Sequence, residues 1–170
     1  MELLDHIKSE AAVHDLPWQL VRAVCLIESS LNPFSRRYEP RYKWLYGDAT
    51  LLTPNEVMDQ KHSWGLMQVM GAVAREYGWR GDMVELCRIP LGITYGCLHL
   101  AKFRAKYELW TDAISAYNAG SPRRTSEGAY ENQQYVTKVV TEWTKLDPNH
   151  QTATRAPGSE SKHPFLERSK

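Results

Sequence analysis

The chain has almost no net charge: 21 Lys and Arg stand against 20 Asp and Glu in 170 residues, leaving +1. That balance gives no basis for a broad electrostatic attraction to nucleic acid or anionic lipid. Arg36-Arg37 and Arg123-Arg124 are short basic pairs that read as solvated surface, with an anionic polymer the partner to which they would add a contact or two. Cysteine is scarce and odd in number, at Cys25, Cys87 and Cys97. An odd count, with Cys25 on an apolar helical stripe, points to reduced core thiols rather than a disulfide framework. A Cys87–Cys97 bridge stays open on sequence alone. The six His are scattered, and nowhere do His and Cys cluster at zinc-site spacing, so neither a metal nor another cofactor is expected. Long apolar runs are missing too, which leaves no segment of transmembrane length. The opening MELLDHIKSE has no basic stretch followed by an apolar one, so no secretory signal is read there. Strand signals are weak and no internal repeat is evident.

What is present is helical periodicity within an ordinary globular composition, 42% hydrophobic and 24% charged, which suits one soluble domain with a real core. The fold class expected is mainly α, a single domain over 1–147 followed by a small, polar, proline-bearing tail over 148–170. Helices are expected from Met1 to about His14, from Trp18 to Ser30 after Asp15 and Pro17, and from Thr53-Pro54-Asn55-Glu56 toward Gln60 through a capping-box pattern. Further helices are expected over about Leu66–Tyr77, Pro90–Tyr107, Thr111–Tyr117 and Tyr130–Lys145. Residues 31–53 are polar, aromatic and arginine-rich without clean periodicity. They read as a long loop in which 35–52 has room for a small hairpin, and long loops in compact domains are often functional.

One residue breaks the pattern. In WQLVRAVCLIESS the apolar positions Leu20, Val21, Val24 and Cys25 form a stripe, and at roughly 100° per residue Glu28 falls within about 60° of the last three. A carboxylate on a core-facing side costs several kcal/mol unless it is paired or protonated. A glutamate whose surroundings favour the protonated form is a candidate general acid near neutral pH. The plainer alternative is a helix-end glutamate turned to solvent ahead of Asn32-Pro33.

Three further segments give Glu28 a context. Ser63-Trp64-Gly65-Leu66-Met67-Gln68 places a glycine at the expected start of a helix, where backbone can approach a ligand. Ala116-Tyr117-Asn118-Ala119-Gly120 ends a helix with an aromatic and an amide, and Tyr135-Val136 lies in the last helix. With Glu28-Ser29…Asn32-Pro33, these segments resemble the signature of the bacterial soluble lytic transglycosylases and their goose-type lysozyme relatives: Glu-Ser…Asn-Pro, Gly-Leu-Met-Gln, Ala-Tyr-Asn-Ala-Gly, then Tyr-Val. All four occur in the family's order and span about two-thirds of the chain, from Glu28 to Val136. The departure is the stretch between Asn32-Pro33 and Gly65, longer here than in the shorter members. It carries Tyr38, Tyr42, Trp44 and Tyr46, suited either to stacking on sugar rings or to a small satellite core.

The resemblance implies a lysozyme-like helical domain with a catalytic cleft that binds peptidoglycan glycan strands, as a monomer and without a cofactor. Glu28 would protonate the glycosidic oxygen between N-acetylmuramic acid and N-acetylglucosamine. It would then, as carboxylate, take the proton from the muramyl C6 hydroxyl, which closes a 1,6-anhydro end. Tyr135 would orient Glu28. Ser29, Ser63, Gly65, Met67, Gln68, Tyr117 and Asn118 would form the substrate-binding set, with Gln68 and Asn118 on sugar acetamido or hydroxyl groups. Met67 would line the cleft, Tyr117 would be a wall, and Ser29 would shape the turn. Glu39 is the acid singled out as a candidate second carboxylate. A base such as Glu39 or Asp48 across the cleft would instead favour a hydrolytic muramidase, and an idle peptidoglycan-binding protein is the remaining rival. A wall-cleaving domain lacking a secretory signal would be made in the cytoplasm and delivered to the wall, as a bacteriophage lysis enzyme or as a virion or secretion-machine component.

Overall fold

The computed structural model describes residues 2–150. In chain order these form α1 (Leu3–Val13), α2 (Trp18–Ser29), β1 (Arg36–Tyr38), α3 (Pro54–Gln60), β2 (His62–Trp64), β3 (Val69–Met70), α4 (Gly71–Glu76), a 3-10 turn (Met83–Cys87), α5 (Ile89–Lys106), α6 (Trp110–Ala119) and α7 (Gln133–Leu146). The expected tail lies, past His150, outside the described residues.

The mainly α expectation holds, and the reason is visible in which faces are covered. α2 buries Leu20, Val21, Val24 and Cys25 against α1 on one side and α7 on the other. α7 answers with Val136, Val139 and Trp143, spaced at three, four and seven, while the residues between them are largely exposed. α5 packs on α1 and α6, so that Ile93 and Leu100 meet Leu20, Val24 and Ile114 in one core whose members are fully buried. Cys25, Cys87 and Cys97 are buried free thiols.

A small sheet flanks this bundle, and two expectations change there. Residues 35–52 do not form a hairpin among themselves. β1 pairs antiparallel with the distant β2, in the register Arg36↔Trp64, Arg37↔Ser63 and Tyr38↔His62, and β2 pairs with β3. The helix expected from Leu66 begins only at Gly71. Residues 65–68 are instead the turn joining β2 to β3, with Gly65 (φ +72°) and Gln68 (φ +49°) both left-handed. The apolar spacing of Leu66, Met67, Val69 and Val73 mimics a helix, but tertiary hydrogen bonds to the turn override it.

The rest of the long loop is tied down by a side chain acting as backbone. Gln60, 1% exposed, accepts from the Tyr46 amide at 2.7 Å and donates to the Tyr46 carbonyl at 3.1 Å. Thr53 caps α3 through the Glu56 amide, as the sequence suggested. The Glu56 carboxylate, however, makes a two-pronged pair with Arg75 at 2.8 and 3.0 Å, fastening α3 to α4 rather than completing the capping box.

Gly65 is required on two counts: its φ is positive, and a Cβ there would lie 2.3 Å from the Leu86 carbonyl oxygen. Gly65→Ala should therefore lower unfolding free energy by about 2–4 kcal/mol, the sum of a left-handed penalty and an overpacking penalty. Urea denaturation measures this, and a loss below about 0.5 kcal/mol would show that the turn can relax without cost.

Candidate active site

Glu28 sits on the last turn of α2, and the backbone beyond it is bent sharply. Ser30 (φ 54°) and Leu31 (φ 62°) are both left-handed. Their amides donate back to Leu26 O at 2.9 Å and Cys25 O at 3.3 Å, closing the helix end. A left-handed non-glycine residue costs roughly 1–2 kcal/mol. Of the four such residues among those described, Ser30, Leu31 and Gln68 all belong to the segments around Glu28. Backbone strain of this kind gathers where a site is held in place.

The helix end delivers the Glu28 carboxyl to α7, where Tyr135 Oη donates to Oε1 at 2.7 Å. Burial is the dominant influence on this carboxyl, although the residue keeps some surface open to a cleft. It raises the Glu28 pKa from 4.5 to about 7, against the opposing pull of the Tyr135 hydrogen bond and the Arg37 charge, with Glu39 adding a smaller push upward. The stripe argument thus holds: an acid on the apolar face is paired with a phenol and keeps its proton to near neutrality. Tyr135 is itself held far above the usual phenol range by burial and then by the neighbouring Glu28 charge, so it acts as a neutral donor.

The cleft beside this pair has a volume of about 500 Å³ and a wall rich in amides and charges. It is lined by Ile27 and Glu28 from α2, Arg37 from β1, Asn118 from α6, residues 131–134, and Tyr135 and Lys138 from α7. Within this lining Asn132 stands close to Asn118: its Nδ2 donates to Ser115 O at 3.0 Å and to Asn118 Oδ1 at 3.0 Å, while its Oδ1 accepts from Ser115 Oγ at 2.7 Å. Asn118, its oxygen thus occupied, faces the cleft with its amide donors. Glu131, Asn132, Gln133, Gln134 and Lys138 were not singled out from sequence, and Arg37 was read there only as part of a solvated basic pair. The polar run Glu131-Asn132-Gln133-Gln134, directly before Tyr135, was the signal available for most of them.

The other expected site residues lie beneath the cleft rather than in it. Ser29 is buried, and its Oγ lies 2.9 Å from Cys25 O and 2.8 Å from Leu66 O. Tyr117 Oη donates to Met67 O at 2.6 Å. Gln68 Nε2 donates to Ser35 O and Gly65 O, each at 2.9 Å, and its Oε1 accepts from Ser63 Oγ at 2.8 Å. The Met67 side chain is fully buried against Gly96, so it packs the core and does not line the cleft. Glu39 pairs with Arg37 on β1, and the exposed Asp48 binds Thr50 in its own loop. Among the cleft carboxyls, Glu131 is the one besides Glu28, and its Oε2 is 2.7 Å from Arg123 Nε.

A single desolvated carboxyl, a neutral phenol and a polar groove suit proton transfer on an uncharged, hydroxyl-rich substrate. A family model, the transglycosylase SLT domain, matches residues 5–139, most of the chain. The chain belongs to the transglycosylase SLT family. At family level, that membership means peptidoglycan cleavage of the lytic transglycosylase type on a lysozyme-like helical domain. A search of the curated proteins returned no match. Among the described residues, no helix is long and apolar enough to cross a membrane.

The raised pKa has a stability consequence in this SLT domain. With a folded pKa of about 7 against 4.5 unfolded, the folded chain holds a proton that the unfolded chain has released. Stability then falls as pH rises through that window. Glu28→Gln keeps an acceptor for Tyr135 but removes the charge, so the variant should be more stable than the parent above pH 7, by up to about 3 kcal/mol. The gap should close below about pH 4, and urea titrations at both ends of the range measure it. A gap independent of pH would contradict the raised pKa.

Proposed function

We propose that the protein is a lytic transglycosylase in which Glu28 serves first as acid and then as base. The observation that carries this reading is the isolation of Glu28: it is the one desolvated carboxyl at the cleft, held by a neutral donor at 2.7 Å. Glu28 protonates the glycosidic oxygen between N-acetylmuramic acid and N-acetylglucosamine. The substrate's acetamido carbonyl stabilises the cation-like centre, so no second carboxylate of the protein is required. The ionised Glu28 then takes the C6 hydroxyl proton as that oxygen attacks C1. A pKa near the working pH serves both steps, because the group must give and recover one proton.

In this reading Tyr135 orients Glu28, and Asn118, with Gln134, hydrogen-bonds the sugar, while Gln133 is held by Tyr130 and Thr137. Ser29, Ser63, Gly65, Gln68 and Tyr117 act from below by fixing the floor, since their polar groups already meet protein partners. Trp44 (64% exposed) offers ring surface to a longer glycan, with Tyr42 and Lys43 against it, whereas Tyr38 packs on His62 and Tyr46 is engaged by Arg80. The partner is a peptidoglycan strand, met by a monomer in a lysis, virion or secretion-machine setting.

Hydrolysis is the second reading, and Glu131 is the observation that favours it. It lies on the same cleft, and its pair with Arg123 is at the surface, where such pairs contribute little. A base there would activate water in place of the C6 hydroxyl.

Mass spectrometry of muropeptides from purified peptidoglycan decides between them. Transglycosylation gives muramyl ends lighter by one water than the reducing sugar, and Glu131→Gln leaves that product in place. Mainly reducing ends, lost in Glu131→Gln, would establish the hydrolase instead. In either case Glu28→Gln should lower turnover by about 10²–10⁴-fold. A variant that kept most of its rate would remove Glu28 from the mechanism.

A further inference from the structure

On β1 and just past it, Arg37 and Glu39 carry charges that the acid–base scheme does not yet use. Side chains alternate along β1, so Arg37 and Glu39 project to one face, while Arg36 and Tyr38 take the other. Arg37 lines the cleft together with Glu28 and Tyr135. Two residues on, Glu39 Oε1 meets Arg37 Nε, and the Glu39 amide is fixed to Lys61 O at 2.9 Å, which extends the sheet pairing. Arg37 is therefore tethered at both levels: its backbone by the register with Ser63, its guanidinium by Glu39.

We propose that Arg37 is a positioning residue that favours the ionised form of Glu28 during the second half of the reaction, and that Glu39 holds and attenuates this cation rather than serving as a second acid. The inference rests on the acid–base reading of Glu28. Its physical need is plain. Once Glu28 has given up its proton, a carboxylate stands in a largely desolvated site with Tyr135 donating to one of its two oxygens. A nearby cation offsets part of that cost without supplying a proton. A fully free arginine would ionise Glu28 at lower pH and leave less of the acid form for the first step. The signs of the two charges agree with this division: Arg37 lowers the Glu28 pKa and Glu39 raises it, both after burial and the Tyr135 bond in importance.

The other titratable groups facing Glu28 do not duplicate this role. Cys25 on its own helix is kept a thiol, pushed by burial up to about 12, and Tyr117 on α6 is likewise held far above the phenol range by burial. Lys138 on α7 and Glu131 before it line the same cleft, but the charges that act on Glu28 are those of Arg37 and Glu39.

The test is the pH dependence of kcat/KM on soluble glycan fragments, at fixed low salt, since salt screens these charges. Its alkaline limb reports loss of the proton from Glu28 in the free enzyme. Arg37→Gln removes a cation and should move that limb upward, and Glu39→Gln removes an anion and should move it downward, each by roughly half a unit. The double variant should return toward the parent, and Arg37→Lys should restore the limb that Arg37→Gln displaces. Arg37 is exposed and Glu39 half-buried, and melting curves verify that the variants fold. Limbs that stay in place, or move in the same direction in both single variants, would overturn the proposal. A merely structural role would lower kcat without opposed shifts. If Glu28→Gln keeps its activity, the acid–base reading itself fails. If Glu28→Gln is inactive and the limbs stay still, only the assignment of Arg37 and Glu39 fails.

Discussion

Two adjacent carbonyls in the 65–68 turn hold this site together. Leu66 O and Met67 O are buried acceptors, and an unsatisfied buried acceptor costs about 1–3 kcal/mol. Their donors come from different helices: Ser29 on α2, one residue after Glu28, and Tyr117 on α6, one residue before Asn118. The turn therefore works as a peg driven between the helix that carries the acid and the helix that carries a cleft amide. Gly65 lets the turn approach the Leu86 carbonyl, and Gln68 staples it to Ser35 just ahead of β1. From that staple β1 runs on to Arg37. Three sides of the cleft are thus referred to one short stretch of backbone.

This accounts for what the four motifs share. They are not a set of groups that all point at a ligand. Glu28, Asn118 and Tyr135 face the cleft, while Ser29, Ser63, Gln68 and Tyr117 spend their hydrogen bonds on protein. Conformational strain at Ser30, Leu31 and Gln68 is tolerated because the clamps around these residues over-determine their backbone. The same logic applies to Glu28 itself. Its burial lowers stability above neutral pH, and the apolar contacts of α2 with α7 must offset that cost.

Sequence periodicity was a good guide where one face of an element is dry and the other wet. α2, α5 and α7 obey that rule, and Glu28 stood out because it broke it. The turn at 65–68 was misread as a helix because its apolar residues do face a core, but one reached through a hairpin. What makes it a turn is a set of donors up to fifty residues away, such as Tyr117, which no local pattern reveals. The strand at 36–38 hid for a related reason: three residues are too few to show alternation, and their partner lies beyond α3. Met67 shows the limit of reading a motif as a list of contacts, since its place in the motif reflects core packing and its backbone oxygen. Asn132 was missed, and Arg37 read as mere solvated surface, because polar residues outside periodic segments look alike until a fold brings them to a cleft.

The remaining chemical choice, sugar hydroxyl or water, turns on how many free carboxylates share the cleft. Glu39 pairs with Arg37, and Asp48 folds back on Thr50 in its own loop, and neither stands in the lining of the cleft. Glu131 stays at the rim in a surface pair with Arg123. A base that must deprotonate water works best when its surroundings hold its pKa near the working pH, and burial raises that of Glu28 to about 7. In the mechanism proposed above this one group acts twice, and the second proton comes from the substrate itself, released beside the carboxylate that the first step has just created.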